Sequence, residues 1–129
     1  MEDLGRLRTE LRAQSRVVFG RKHRLEVGAL IGALAPPIWP RNIARLIDIG
    51  ENQASSELAV FEMLGALQRF PSGFDRRKIY QKTPHPLWPL TRQMLEGTIY
   101  RLSSEGYDLS IESYWEQVLQ GAVPETLLD

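Results

Sequence analysis

Apolar positions along this chain recur mostly at helical spacing. Leu4, Leu7, Leu11 and Val18 are spaced for one helix face, with Gln14 in the intervening seam position and Arg and Glu on the other faces. That pattern predicts an amphipathic helix ended by Gly20. It runs only about two heptads, too short for a lone coiled coil, so it must pack on something. Val27, Ile31 and Leu34 mark a second helix, stopped by Pro36-Pro37. Pro40 opens a short third helix with Ile43, Ala44, Leu46 and Ile47 inward, closed by Gly50. Asn52 is placed to cap a fourth helix over about 52–64, in which Ala54, Leu58 and Phe61 share a stripe and Gly65 is the stop.

After Gly65 the period changes. Ala66 to Phe70 reads as extended, Pro71-Ser72-Gly73-Phe74-Asp75 has turn composition, and Arg76 to Lys82 forms a basic return strand ending before Pro84. Pro86 and Pro89 introduce another helix, with Leu95, Ile99 and Leu102 on one face and Gly106 breaking it. Ser110 caps a last helix with Ile111, Trp115, Val118 and Leu119 inward and Glu112 near its positive end. The expected fold is mainly α: a single domain over 1–129, with a small two-stranded β-hairpin between helices. No repeat and no long linker divides it.

The composition is that of an ordinary globular chain, with 43% apolar and 25% charged residues in 129. Cysteine is absent, which excludes disulfides, thiolate zinc sites and a catalytic thiol. The start shows no apolar signal-peptide core, and no apolar run reaches the roughly 18 residues of a membrane span. A cytoplasmic protein is expected, with no membrane association.

Lys+Arg and Asp+Glu both number 16, so the net charge is zero, an average that at first argues against a polyanionic partner. By segment the picture differs. Residues 1–24 hold seven bases against three acids, 70–82 hold four against one, and everything from Leu102 onward has six acids and no base. The first 101 residues come to +6 and the remainder to −6. Such a split suggests a basic working surface and a segregated acidic tail.

The order helix, short helix, turn, helix, hairpin is that of a winged helix-turn-helix. The stretch from Ala44 to Leu58, ARLIDIGENQASSEL, resembles the helix-turn-helix of bacterial MarR-like and ArsR-like regulators. Ala44 matches the small buried residue, Ile49 the apolar turn residue and Leu58 the core anchor of the recognition helix. Gly65-Ala66-Leu67 resembles the lead into the wing, and Arg76 to Tyr80 its return strand. The resemblance covers about residues 25–83. It departs at Asp48, where a turn glycine is common, which points to a wider or differently shaped turn. The metal- and oxidation-sensing cysteines of some such regulators are missing, so those signals do not carry over.

The resemblance implies a DNA-binding transcriptional regulator, nucleoid-associated, with double-stranded DNA as partner. Its recognition helix enters the major groove and its wing, about 70–82, follows the phosphates. With Ala54, Leu58 and Phe61 buried, the groove face of the fourth helix carries Asn52, Ser55, Ser56, Ala59 and Met63, with Gln53 at its edge. Asn and Gln can pair bidentately with adenine, and Ser with several base edges. Glu57 and Glu62 flank this face and would repel phosphate. Phosphate binding falls to Arg41 and Asn42, to Arg76, Arg77 and Lys78 in the wing, and to Arg69 and Lys82 beside them. Leu4, Leu7, Leu11 and Val18 are the candidate homodimer interface, together with helices after Pro86, giving segments 1–19, 20–83 and 84–129 their roles.

No enzyme is expected, because Ser55-Ser56 carries no signature of an activated nucleophile. His23 and His85 lack partners at ligand spacing, so neither a metal nor a cofactor is expected. Trp39, Trp88, Trp115, Tyr80, Tyr100 and Tyr114 read as core or interface anchors, with an effector pocket among them as an open alternative. The other function class is a winged-helix module that binds protein through the same neutral face.

Overall fold

The computed structural model describes residues 3–70 and 78–120. In chain order it contains α1 (Leu4–Phe19), α2 (Arg24–Ala33), α3 (Pro40–Leu46), α4 (Glu51–Met63), β1 (Leu67–Arg69), β2 (Tyr80–Lys82), α5 (Leu87–Ser104) and α6 (Ile111–Leu119). The mainly helical expectation with a two-stranded sheet is met.

The leucine stripe of α1 points inward. Leu7 and Leu11 are fully buried within the chain itself, and Leu4 packs at the edge of the same core. This corrects their placement on a dimer face: α2 and α5 are the mates that the sequence did not show. The next seam position belongs to Ser15, not to Gln14. Buried Ser15 donates its hydroxyl to the Arg21 carbonyl and accepts from the Leu25 N–H at 3.0 Å, fixing the turn into α2. Gln14 lies to the side, its Nε2 donating to Thr98 Oγ1 at 2.8 Å. Gly20 ends α1 at φ 71°, where a Cβ would be strained, and its N–H donates to the Arg16 carbonyl.

α2 is buried on every side from Leu25 to Ile31. It packs on α5 so closely that a Cβ on Gly28 would lie 2.8 Å from Thr91 Cγ2. Its first turn also buries charge. Glu26 has no exposed surface and faces Arg12 Nε at 3.0 Å and Arg8 Nε at 4.0 Å. Burial raises its pKa even against both guanidinium groups. Tyr114 of α6, fully buried near this carboxylate, is likewise pushed up, chiefly by burial.

The turn between α3 and α4 differs from expectation in two ways. Asp48 itself adopts the left-handed conformation, φ 56°, and the Ile49 N–H reaches back to the Ala44 carbonyl at 2.9 Å. That is a Schellman-type end made by an aspartate instead of a glycine, so the turn stays tight. Gly50 does not close α3; it stands at the N-cap of α4, and its N–H donates to Gln53 Oε1 at 2.9 Å. Asn52 is therefore inside the first turn and caps nothing.

β1 and β2 pair antiparallel, Leu67 with Lys82, Gln68 with Gln81 and Arg69 with Tyr80. Ile38, in the loop before α3, bridges the other edge of β2 through two 2.8 Å hydrogen bonds with Tyr80, a contact unforeseen from sequence. At the start of α5, His85 Nδ1 accepts the Leu87 N–H at 3.1 Å. Ser110 caps α6, accepting the Ser113 N–H as expected. In α6 the deepest residues are Tyr114 and Val118, while Ile111, Trp115 and Leu119 are half-buried.

This packing has two consequences for stability. Gly28→Ala should lower unfolding free energy by about 1 kcal/mol net, overpacking against Thr91 outweighing the gain in helix propensity. In a Thr91→Ala background the same change should turn neutral or stabilising, as denaturant melts will show. His23 is buried with Nδ1 unpartnered. Burial first, then Arg12, Lys22 and Arg16, hold it below its usual 6.5. The unfolded chain therefore takes up this proton at higher pH than the native chain. The contribution of His23 to stability is fully present above pH 6.5 and is lost as pH falls through the interval down to the depressed native value. Denaturant melts from about pH 8 to about pH 5 should show His23→Gln losing less stability than the parent on acidification.

Candidate nucleic-acid interface

α4 presents the expected two faces. Ala54, Leu58 and Phe61 are fully buried, and Phe61 meets Trp88 edge-on at 5.6 Å. On the solvent side Asn52, Gln53, Ser56, Ala59 and Met63 are exposed and Ser55 is half-buried. These side chains are small or neutral, with two amides and two hydroxyls able to read base edges. Gln53 is partly committed, because its Oε1 closes the start of the helix.

α4 carries Glu51, Glu57 and Glu62 and no Lys or Arg. Two of these carboxylates are neutralised from outside the helix. Glu57 is buried against Arg24 of α2, Oε2 to Nε 2.8 Å. Glu62 meets Arg69 of β1, Oε1 to Nη2 3.1 Å. Glu51 lies in the first turn, where the helix dipole favours a carboxylate.

The cations assigned to phosphate separate into groups. Arg41 is exposed at the start of α3, and Asn42 beside it is half-buried, its Oδ1 accepting from Arg45 Nη2 at 3.4 Å. Arg45, which the sequence pattern did not single out, adds a third basic or polar head on the exposed side of α3. Lys78 is exposed ahead of β2, while Arg76 and Arg77 lie outside the described residues. Lys82 turns inward: Nζ donates to the Gly32 carbonyl near the end of α2 at 3.0 Å, and partial burial lowers its pKa. Arg69 is held by Glu62, and its guanidinium sits 5.9 Å from the Tyr80 ring centroid. Both side chains thus have partners within the chain, Lys82 on a backbone carbonyl and Arg69 on a carboxylate.

The basic first segment is also largely spent. Arg6 pairs with Glu10 at 2.7 Å, Arg8 and Arg12 face Glu26, and Arg24 holds Glu57. Arg16, Arg21 and Lys22 remain exposed around the α1–α2 turn.

Of the aromatics, Tyr80 and Tyr114 are fully buried, Trp88 and Trp115 pack at the core edge, and Tyr100 is 75% exposed. Trp39 lines an open apolar cleft of about 160 Å³ with Leu34, Pro36, Ile38, Asn42 and Ile43. Among the described residues no cluster of His, Asp and Glu could hold a metal, and no helix is long and apolar enough to cross a membrane.

No family model and no curated protein matches the sequence. Solved structures do share its fold. MepR, a transcription regulator of the Staphylococcus aureus multidrug efflux pump MepA, is 14% identical, with 98% of this chain and 93% of that one covered and a TM-score of 0.57. A MarR-family transcriptional regulator from Rhodococcus sp. RHA1 is 15% identical over 93% of this chain and 86% of its own, at TM-score 0.63. The Mycobacterium tuberculosis MarR-family protein Rv2887, solved with salicylic acid, is 18% identical over 96% and 92%, at 0.59. The likeness extends well beyond residues 25–83 and takes in the flanking helices, so this chain has the winged-helix fold of MarR-family structures over nearly its whole length.

Proposed function

We propose that this protein is a DNA-binding transcriptional regulator that acts as a homodimer, with α4 in the major groove. The observation that carries the reading is the solvent face of α4. It offers neutral base-reading groups while Glu57 and Glu62 are tied to arginines, on a fold shared with two structures described as transcription regulators. Arg41, Asn42 and Lys78 supply phosphate contacts, with Arg76 and Arg77 beside Lys78 in sequence. A two-fold pair would set its recognition helices about one DNA turn apart on a near-palindromic site.

Fluorescence anisotropy against duplex genomic fragments at two salt concentrations tests this directly. Asn52→Ala should cost about 1–3 kcal/mol on the preferred site and relax preference at one adenine. Lys78→Ala should weaken all duplexes alike and reduce the salt slope by about one. No binding at low salt overturns the DNA reading and favours the use of this face for protein.

The exposed large apolar residues on α1 and α5 are Val17, Val18, Leu90 and Tyr100, and we place the two-fold contact there instead of at buried Leu7 and Leu11. Of the sequence-proposed set, Val18 remains. Sedimentation should show a dimer for the parent and a monomer for Val17→Glu/Tyr100→Glu with an intact helical spectrum. A dimer in the double variant would place the interface elsewhere.

A further inference from the structure

A recognition helix with three carboxylates and no cation is poorly suited to a groove walled by phosphates. We infer that Arg69 is the positioning residue that lets α4 approach DNA, cancelling the Glu62 carboxylate without itself binding phosphate. The inference rests on the DNA-binding reading above.

The two ion pairs of α4 differ in kind. Glu57 and Arg24 are nearly enclosed, at 10% and 16% side-chain exposure, so that pair belongs to the core. Glu62 and Arg69 are 32% and 47% exposed, at the end of the helix where the chain turns into the wing. An approaching phosphate would feel this second carboxylate if it were bare. Arg69 reaches it because of the wing's register. Gly65, at φ 81°, turns the chain out of α4, and β1 then places Arg69 opposite Tyr80. Tyr80 is fully buried and pinned on both edges, by β1 and by Ile38, and the Arg69 guanidinium rests near its ring. The cancelling charge is thus delivered by the sheet. A one-residue slip would move Arg69 to the other face and bare Glu62.

Anisotropy titrations of Arg69→Gln, Glu62→Gln, the double variant and Arg69→Lys against one duplex separate cancellation from direct contact. Arg69→Gln should bind about tenfold more weakly, with a melting temperature close to the parent, because an exposed pair adds little stability. Glu62→Gln should bind at least as tightly as the parent. The double variant should return to within about threefold of the parent, since no carboxylate is left to cancel, and Arg69→Lys should retain most affinity because it keeps the charge. A double variant as weak as Arg69→Gln makes Arg69 a phosphate ligand and overturns the inference, as does an Arg69→Gln that binds like the parent. A parent that binds no duplex at low salt overturns the DNA reading beneath it, an outcome separate from any difference among variants.

Discussion

The structure depends on the charged first turn of α2. Arg24 and Glu26 sit two residues apart on a helix enclosed by protein, and their side chains engage different neighbours. Arg24 holds Glu57 of α4, and Glu26 holds Arg12 of α1. A carboxylate without exposed surface is expensive to bury and is tolerated only with a partner in good geometry. α1 must therefore lie where Arg12 can reach Glu26, and α4 must be rolled so that Glu57 faces Arg24. Apolar contacts such as Leu11, Leu30 and Phe61 supply adhesion but accept small slips. The ion pairs do not. The roll that turns Glu57 inward is the same roll that turns Asn52, Ser56 and Ala59 to solvent, so the candidate site is set from beneath by a pair it never uses directly.

Most helices were legible because their signals are local. The stripe Ala54, Leu58, Phe61, the left-handed Gly20 and the Ser110 cap all depend on residues close together along the helix. What escaped was decided at longer range or by a choice between near-equal options. Ser15 displaced Gln14 from the seam because its hydroxyl could satisfy two backbone groups across the turn, which no periodicity reports. Asn52 looked like a cap because asparagine often is one. Gly50 took that place once Asp48 had absorbed the left-handed step. The Ile38 bridge to Tyr80 joins positions 42 residues apart, and a lone extended residue carries no pattern of its own.

The site was legible to a different degree. Which residues of α4 face outward followed from helical geometry, and the exposed amides and hydroxyls are where that geometry put them. Which cations remain available did not follow. Lys82 finds the Gly32 carbonyl 50 positions away, and Arg69 finds Glu62 only because β1 folds back beside α4. A basic residue in a sequence is a candidate for any acceptor the fold brings near, and the fold's own acceptors are the nearest.

The charge balance takes on a different meaning as a result. The basic excess of the first 101 residues looked like a surface prepared for a polyanion. In the structure many of these bases are held by acids of the same segment, since Glu10, Glu26, Glu57 and Glu62 each face at least one arginine; the excess is unchanged, but it rests on fewer free heads than the count of bases suggests. The exposed described cations proposed for phosphate are few, Arg41 and Lys78 foremost, and counterion release would scale with their number. Under the proposed function a single copy would hold DNA weakly. Two copies joined by a two-fold axis double the phosphate contacts and make the second engagement intramolecular, at the high effective concentration that linkage provides. On that reading, sparse charge on each protomer and reliance on a second copy would be one physical consequence of committing arginines to the protein's own carboxylates.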